Sequence, residues 1–200
     1  MWIKICGMTT PDAVAAALEA KVDAIGFVFA PSSRQVTPAK AAKLAEPARG
    51  RVMCVAVTQH PSQQWVDEIV TAFRPDYLQT DVQDLAALKF ARDTQSLPVV
   101  RAGQELPNPL PVRLLFEGPV SGRGIAFDWS EARATALRAQ LILAGGLSES
   151  NVGAAIKAVR PFGVDVSSGV ELQPGIKSPE KILKFAEAAR AAFRFEESVP

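Results

Sequence analysis

Two hundred residues, 48% hydrophobic and 22% charged, can bury a sizeable core without a metal or disulfide to hold it. Lys and Arg number 22 against 21 Asp and Glu, and this net charge of +1 argues against a nucleic-acid or membrane-surface partner recruited by bulk charge. The two cysteines have no metal or disulfide spacing, no apolar stretch reaches transmembrane length, and the N-terminus lacks a secretory pattern. The expectation is a cytoplasmic protein with free thiols, one domain over residues 1–200, holding no metal.

In chain order, "WIKIC" reads as a strand, and "TTPDAVAAALEA" as a helix that opens on a Thr cap followed by Pro. "AIGFVF" and "VTPAKAAKLAE" repeat that plan, followed by "VMCVAV" with "SQQWVDEIVTAF" and "DYLQT" with "VQDLAALKFARD". After the strand "LPVVRA" comes "GQELPNPLP", too Pro-rich for a full helix but long enough to cross between parallel strands. "VRLLFE" with "SEARATALRAQ", "LILAG" with "ESNVGAAIKAVR", and "GVDVS" with "PEKILKFAEAARAAF" complete the series. In the seventh helix, Ala154, Ala155, Ala158 and Val159 share one face at helical spacing. The strands are Val/Ile/Leu-dense with little alternation, as parallel strands under helices are. Eight such units predict an α/β fold, a small (β/α)₈ TIM barrel with a reduced or missing fifth helix. The rival, a doubly wound open sheet, lacks its glycine fingerprint, because "CGMTT" follows the first strand.

In a barrel the working face lies at the C-terminal ends of the strands. Alternation places Lys4 and Cys6 on one side of the first strand, opposite Ile3 and Ile5. With the isoleucines toward the helices, Cys6 faces the mouth, and Gly7 frees the backbone to turn there. A thiol beside an ammonium can become a thiolate at neutral pH and accept a proton; alone, it is equally a small core hydrophobe. "LILAGGLSESNV" and "GVDVSSGVE" end the last two strands in small residues, the barrel position suited to a phosphate. Glu117 closes the sixth strand, where burial favours a protonated carboxyl suited to a general acid. Arg34, after the second strand, is a candidate clamp for a substrate carboxylate. The lone His60, in a loop beside a proline, receives no catalytic role.

"KICGMT", "DAIGFVFAPSSRQVTP", "FDWS", "LAGGLSESNV" and "RPFGVDVSSGVELQPGIKSPEKI", in this order from first strand to last helix, resemble the phosphoribosylanthranilate isomerase family of tryptophan biosynthesis. The resemblance implies a cofactor-free Amadori rearrangement of a small phosphosugar, carried out by a monomer or homodimer. It assigns the general base to Cys6, the phosphate site to the turns of Gly145, Gly146, Ser168 and Gly169, and the anthranilate-side arginine to Arg34. Asp165 of "DVSSG" falls among the substrate-binding surroundings.

Two positions depart from the family pattern. The sixth strand ends "LLFEG" instead of the usual "LLD", so Glu117 stands for the aspartate acid with one methylene more. Asp128 of "FDWS" is the rival acid, although its place before a helix suits a cap. The fourth strand reads "LQTDV" where the family has "QLHG", putting Asp81 at the histidine position on the substrate side. These departures keep two alternatives open: a related phosphosugar isomerase with another aglycone, and a barrel that binds phosphosugars without turnover.

Overall fold

The computed structural model describes residues 1–90, 93–118 and 129–197. Eight parallel strands close a barrel in strict chain order: β1 (Trp2–Cys6), β2 (Ala24–Val28), β3 (Met53–Val57), β4 (Tyr77–Asp81), β5 (Gln95–Arg101), β6 (Arg113–Glu117), β7 (Gln140–Leu143) and β8 (Gly163–Val166). Each strand lies at its expected place in the sequence. The helices are α1 (Pro11–Glu19), α2 (Pro38–Ala45), α3 (Gln63–Phe73), α4 (Ser130–Ala136), α5 (Val152–Val159) and α6 (Pro179–Glu197). Thr10 and Thr37 cap α1 and α2 by accepting the amides of Ala13 and Lys40, and a proline follows each cap.

Two crossovers lack a full helix. The fifth has none between β5 and β6, as its prolines predict. The fourth corrects the sequence reading: "VQDLAALKFARD" yields only a 3₁₀ turn over Leu85–Ala87, and Ala91 and Arg92 fall outside the described residues. At Lys89 its backbone is satisfied from outside the segment. Gln63 accepts the Lys89 amide at 2.8 Å and donates to the Lys89 carbonyl at 2.6 Å. Asp84, at the start of the turn, accepts from His60 and Thr80 instead of capping it. Leu88 and Phe90 still pack on the core.

Strand parity divides the apolar residues into two cores. Ile3, Ile5, Ile25, Phe27, Leu78 and Phe116 point outward into the layer beneath the helices. Trp2, Val55, Leu97, Val99, Leu115 and Ile142 fill the barrel interior. The predicted face of α5 is rotated: Val152, Ala155, Ile156 and Val159 are buried, whereas Ala154 and Ala158 are exposed, because the larger side chains take the sheet side. At the N-terminal end, the Arg113 guanidinium lies 4.7 Å from the centre of the Phe162 ring and donates to the Tyr77 hydroxyl at 2.8 Å. Rings and a guanidinium thus pack at that end, while Cys6, Asp81, Glu117 and Asp165 stand at the other.

Candidate active site

The C-terminal mouth holds a pocket of about 230 Å³. Cys6, Arg34, Asp81, Glu117, Gly145, Gly146, Asp165 and Ser168, all named from sequence, line it. Gly169 lies behind the wall. Asp128 falls outside the described residues.

On β1, the sequence parity holds. Lys4 is wholly buried inside the barrel, and its Nζ donates to Asp165 Oδ1 at 2.8 Å across the β1–β8 register that pairs these two residues. Cys6, 7% exposed, stands above them at the pocket floor. Gly26 on β2 makes room for both, because a β-carbon there would sit 3.0 Å from Cys6 Sγ and 3.2 Å from Lys4 Cε. Beyond Cys6 the chain turns through Gly7 at φ +82°, and a β-carbon there would meet Arg34 Cδ at 2.7 Å.

The sequence leaves the charge on Cys6 open. Burial pushes the thiol up, Lys4 draws it back, and Asp165 adds to the rise, so the net direction is upward. Lys4 moderates the effect of burial without overcoming it, and the balance favours the thiol over the thiolate. Lys4 itself is lowered by burial but raised more by Asp165 and Cys6, so the ammonium persists. Cys54 packs in the outer core with its thiol pushed up to about 11 by burial, as suits an inert side chain.

On the β7–β8 rim, Gly145 and Gly146 adopt φ +94° and +65°, left-handed conformations that a side chain would strain. Asn151 braces this turn, accepting the Ser148 amide and donating to the Gly146 carbonyl, each at 2.8 Å. The β8 turn approaches so closely that a β-carbon on Gly169 would lie 1.9 Å from the Leu147 carbonyl oxygen. Gly169 therefore sets the spacing of the two turns rather than lining the pocket.

Arg34 is fixed by a partner that the sequence did not reveal. Its Nε and Nη2 donate to the two carboxylate oxygens of Glu171 at 2.7 and 2.9 Å, a bidentate fork. Glu171 opens the short strand β9 (Glu171–Gln173), which pairs with β10 (Ile176–Lys177). Buried Lys177 donates to Glu171 at 2.8 Å and to the Ser167 carbonyl at 2.9 Å, tying the fork to the β8 turn. Burial would raise Glu171, but Arg34 and Lys177 outweigh it and hold the carboxylate low.

The far wall carries Asp81 and Glu117. Asp81 on β4, only 3% exposed, contacts Arg101 Nη1 on β5, while Arg101 Nε lies 3.2 Å from Glu117 Oε1 on β6. Glu117 thus reaches sideways to its register partner. His60 Nε2 lies 3.7 Å from Asp81 Oδ2, and its Nδ1 lies 2.9 Å from Asp84 Oδ1. His60, Asp81 and Asp84 gather potential metal-ligand atoms within 4.8 Å of one another, and their pairing with each other and with Arg101 accounts for that cluster. Gln79, also on this wall, keeps a buried Oε1 without a hydrogen bond among the described residues. An unmet buried acceptor costs about 1–3 kcal/mol, which a ligand hydroxyl would relieve.

Sequence reasoning missed Glu171, Lys177, Arg101 and Gln79. Only a polar residue at an inward strand position, visible for Gln79 and Arg101, offered a signal.

Residues 3–188 match the family described as N-(5'phosphoribosyl)anthranilate (PRA) isomerase. The N-(5'-phosphoribosyl)anthranilate isomerase of Mesorhizobium japonicum is 40% identical over 212 residues, covering 95% of each chain. Among solved structures, the phosphoribosyl anthranilate isomerase of Thermotoga maritima superposes with a TM-score of 0.84 at 29% identity, covering 96% of this chain and 99% of that one. A structure of the same enzyme type in complex with reduced 1-(o-carboxyphenylamino)-1-deoxyribulose 5-phosphate superposes with a TM-score of 0.80 at 29% identity, with the same coverage. A match over nearly the whole chain, on a barrel whose mouth gathers the motif residues, has one consequence: this chain belongs to the phosphoribosylanthranilate isomerase family.

Proposed function

We propose that this chain converts N-(5'-phosphoribosyl)anthranilate to 1-(2-carboxyphenylamino)-1-deoxyribulose 5-phosphate, with Cys6 as base and Glu117 as acid. The observation that carries the reading is the convergence of Cys6, Glu117 and the Gly145–Gly146 and Ser168 turns on one pocket in a chain of this family. The phosphate rests against the two turns, whose spacing Gly169 sets. Arg34, its Nε edge held by Glu171, presents Nη1 to the anthranilate carboxylate. Asp165 faces the sugar while anchoring Lys4, and Gln79 Oε1 accepts from a sugar hydroxyl.

Glu117 gives its proton to the furanose oxygen as the C1–O bond breaks, and the nitrogen lone pair forms the C1=N Schiff base. Cys6, as thiolate, removes the C2 proton, and the electron pair moves through C1 to nitrogen. The enolamine then takes a proton at C1 and gives up the proton of its C2 hydroxyl, becoming the ketone. No electrons leave the substrate, so the steps balance without a redox partner. Identity across the chain favours this reading over an isomerase for another aglycone, and a thiol and a carboxyl in one pocket favour turnover over binding alone.

The test is turnover measured beside affinity. Cys6→Ala and Glu117→Gln are each expected to lower kcat by about 10²- to 10⁴-fold, with affinity for the reduced product analogue kept within a few-fold. Near-wild-type turnover in Cys6→Ala would remove the base. An inactive Asp128→Asn beside an active Glu117→Gln would move the acid to the "FDWS" segment.

A further inference from the structure

Arg34 reaches the pocket from the loop after β2 and is held from outside the eight strands. Glu171 takes the Nε and Nη2 edge of the guanidinium at 2.7 and 2.9 Å, and Nη1 has no hydrogen bond among the described residues. Such a fork fixes the plane of the guanidinium, which its flexible stem alone leaves free. It also has a drawback: a carboxylate paired with Arg34 offsets the charge that an incoming carboxylate needs.

Lys177, on β10, removes that drawback. Its Nζ lies 2.8 Å from Glu171 Oε1, 2.9 Å from the Ser167 carbonyl oxygen and 3.1 Å from Ser167 Oγ. Three acceptors match the three donors of an ammonium, so the wholly buried side chain keeps its charge although burial lowers it. Arg34, Glu171 and Lys177 are then two cations and one anion, and they carry +1 toward one carboxylate.

The group is braced on every side. Ser167 Oγ donates to the Cys6 carbonyl at 3.1 Å, and Lys181 donates to the Glu171 carbonyl at 2.7 Å. At the hairpin tip, a β-carbon on Gly175 would stand 2.3 Å from the carbonyl oxygen of Ser33, the residue before Arg34. Thr9 Oγ1 donates to the Gly175 carbonyl at 2.6 Å. The β9–β10 hairpin thus packs against the Arg34 loop at its tip and against the β8 turn at its base.

We propose that Glu171 and Lys177 are positioning residues for substrate recognition. Glu171 aims Arg34 Nη1 at the aromatic carboxylate, and Lys177 anchors Glu171 to the β8 turn while keeping one net positive charge on the group. The inference rests on the assignment of Arg34 to that carboxylate.

The test uses two probes, titrated by calorimetry into the full-length protein: the reduced product analogue, and the same molecule without its ring carboxylate. The ratio of their dissociation constants reads the carboxylate contact, because a general loosening of the pocket weakens both probes equally. Wild type is expected to prefer the carboxylate by roughly 10²-fold, as a hydrogen bond between charged groups allows. Glu171→Gln raises the sum to +2 but frees the guanidinium, so the preference falls about tenfold where charge alone would raise it. Glu171→Gln combined with Lys177→Met restores +1 and removes both members of the buried pair, which preserves the fold where a single variant loses it. Its preference also falls about tenfold, where charge alone would leave it unchanged. Thermal melts show which variants are folded, and a preference that holds or rises in either folded variant overturns the proposal. Arg34→Gln is expected to abolish the preference. Full preference in Arg34→Gln would remove the clamp and this inference together. A preference lost in Arg34→Gln but kept in the double variant would overturn the positioning role alone.

Discussion

The two walls of the mouth are built by different physics. The wall of β1, β7 and β8 is shaped mainly by what is missing: Gly26 has no β-carbon to strike Cys6, and Gly169 has none to strike Leu147. Among the described residues these strands hold one buried ion pair, Lys4–Asp165, whose carboxylate lines the pocket while the ammonium lies beneath it. The wall of β4, β5 and β6 is shaped by charges, with Asp81, Arg101 and Glu117 joined across three strands. Backbone packing tolerates almost no substitution, because closely spaced main-chain atoms cannot move apart without separating whole turns. Asp81 and Glu117, the two positions at which the sequence differs from the motifs it resembles, both fall on the charged wall.

The largest effect is expected from breaking the ion pair under the first wall. Lys4→Met leaves Asp165 buried without its cation, at a cost of about 3–5 kcal/mol in stability. It also removes the charge that moderates the Cys6 thiol, so the thiol rises further. The working form is the thiolate, and the limb of kcat/KM that rises with pH therefore moves to higher pH. Adding Asp165→Asn restores most of the stability but leaves the limb displaced. Denaturant melts beside a pH–rate profile separate the two effects. An unmoved limb would show that Lys4 does not act on the thiol.

The barrel was legible because its determinants are local: strand parity, Thr-Pro starts and glycines at strand ends. Parity alone brought Cys6 to the mouth above Lys4. The fourth helix was misread because Gln63, far off in sequence, takes the backbone bonds of Lys89. The partners in the site were illegible for the same reason. Arg34 and Glu171 stand 137 residues apart, and only closure of the barrel brings them together. The protonation of Cys6 depends on a balance between burial and charge that no run of residues encodes.

An intermediate effect is expected at the approach of the two turns. Gly169→Ala drives a methyl group against the Leu147 carbonyl, and overpacking of this kind costs about 1–3 kcal/mol. Because the obstructing atoms, of Leu147 and Ser148, are backbone, the turns must part, and the phosphate loses well-aimed donors. Inhibition by inorganic phosphate is expected to weaken about tenfold, in line with one lost charge-assisted hydrogen bond. An unchanged inhibition constant with a lowered melting temperature would assign Gly169 to packing alone.

The smallest effect lies on the outer edge of the charged wall. The hydrogen bond to Asp84 raises exposed His60, and the bonds from His60 and Thr80 outweigh burial and lower Asp84. A raised histidine stabilises fully below its unfolded value of 6.5 and loses that contribution as pH rises through its folded value. A lowered aspartate contributes above its unfolded value of 3.8 and loses it as pH falls through its folded value. The two windows overlap between 3.8 and 6.5, so the melting temperatures of wild type and His60→Gln should differ most there, by a small amount that salt erases. His60 Nε2 stands 3.7 Å from Asp81, farther than a hydrogen bond reaches. The kcat at pH 7 should therefore stay near wild type in His60→Gln. A loss of about tenfold or more would instead tie the imidazole to the working site through Asp81, and the boundary of the charged wall would have to be redrawn around it.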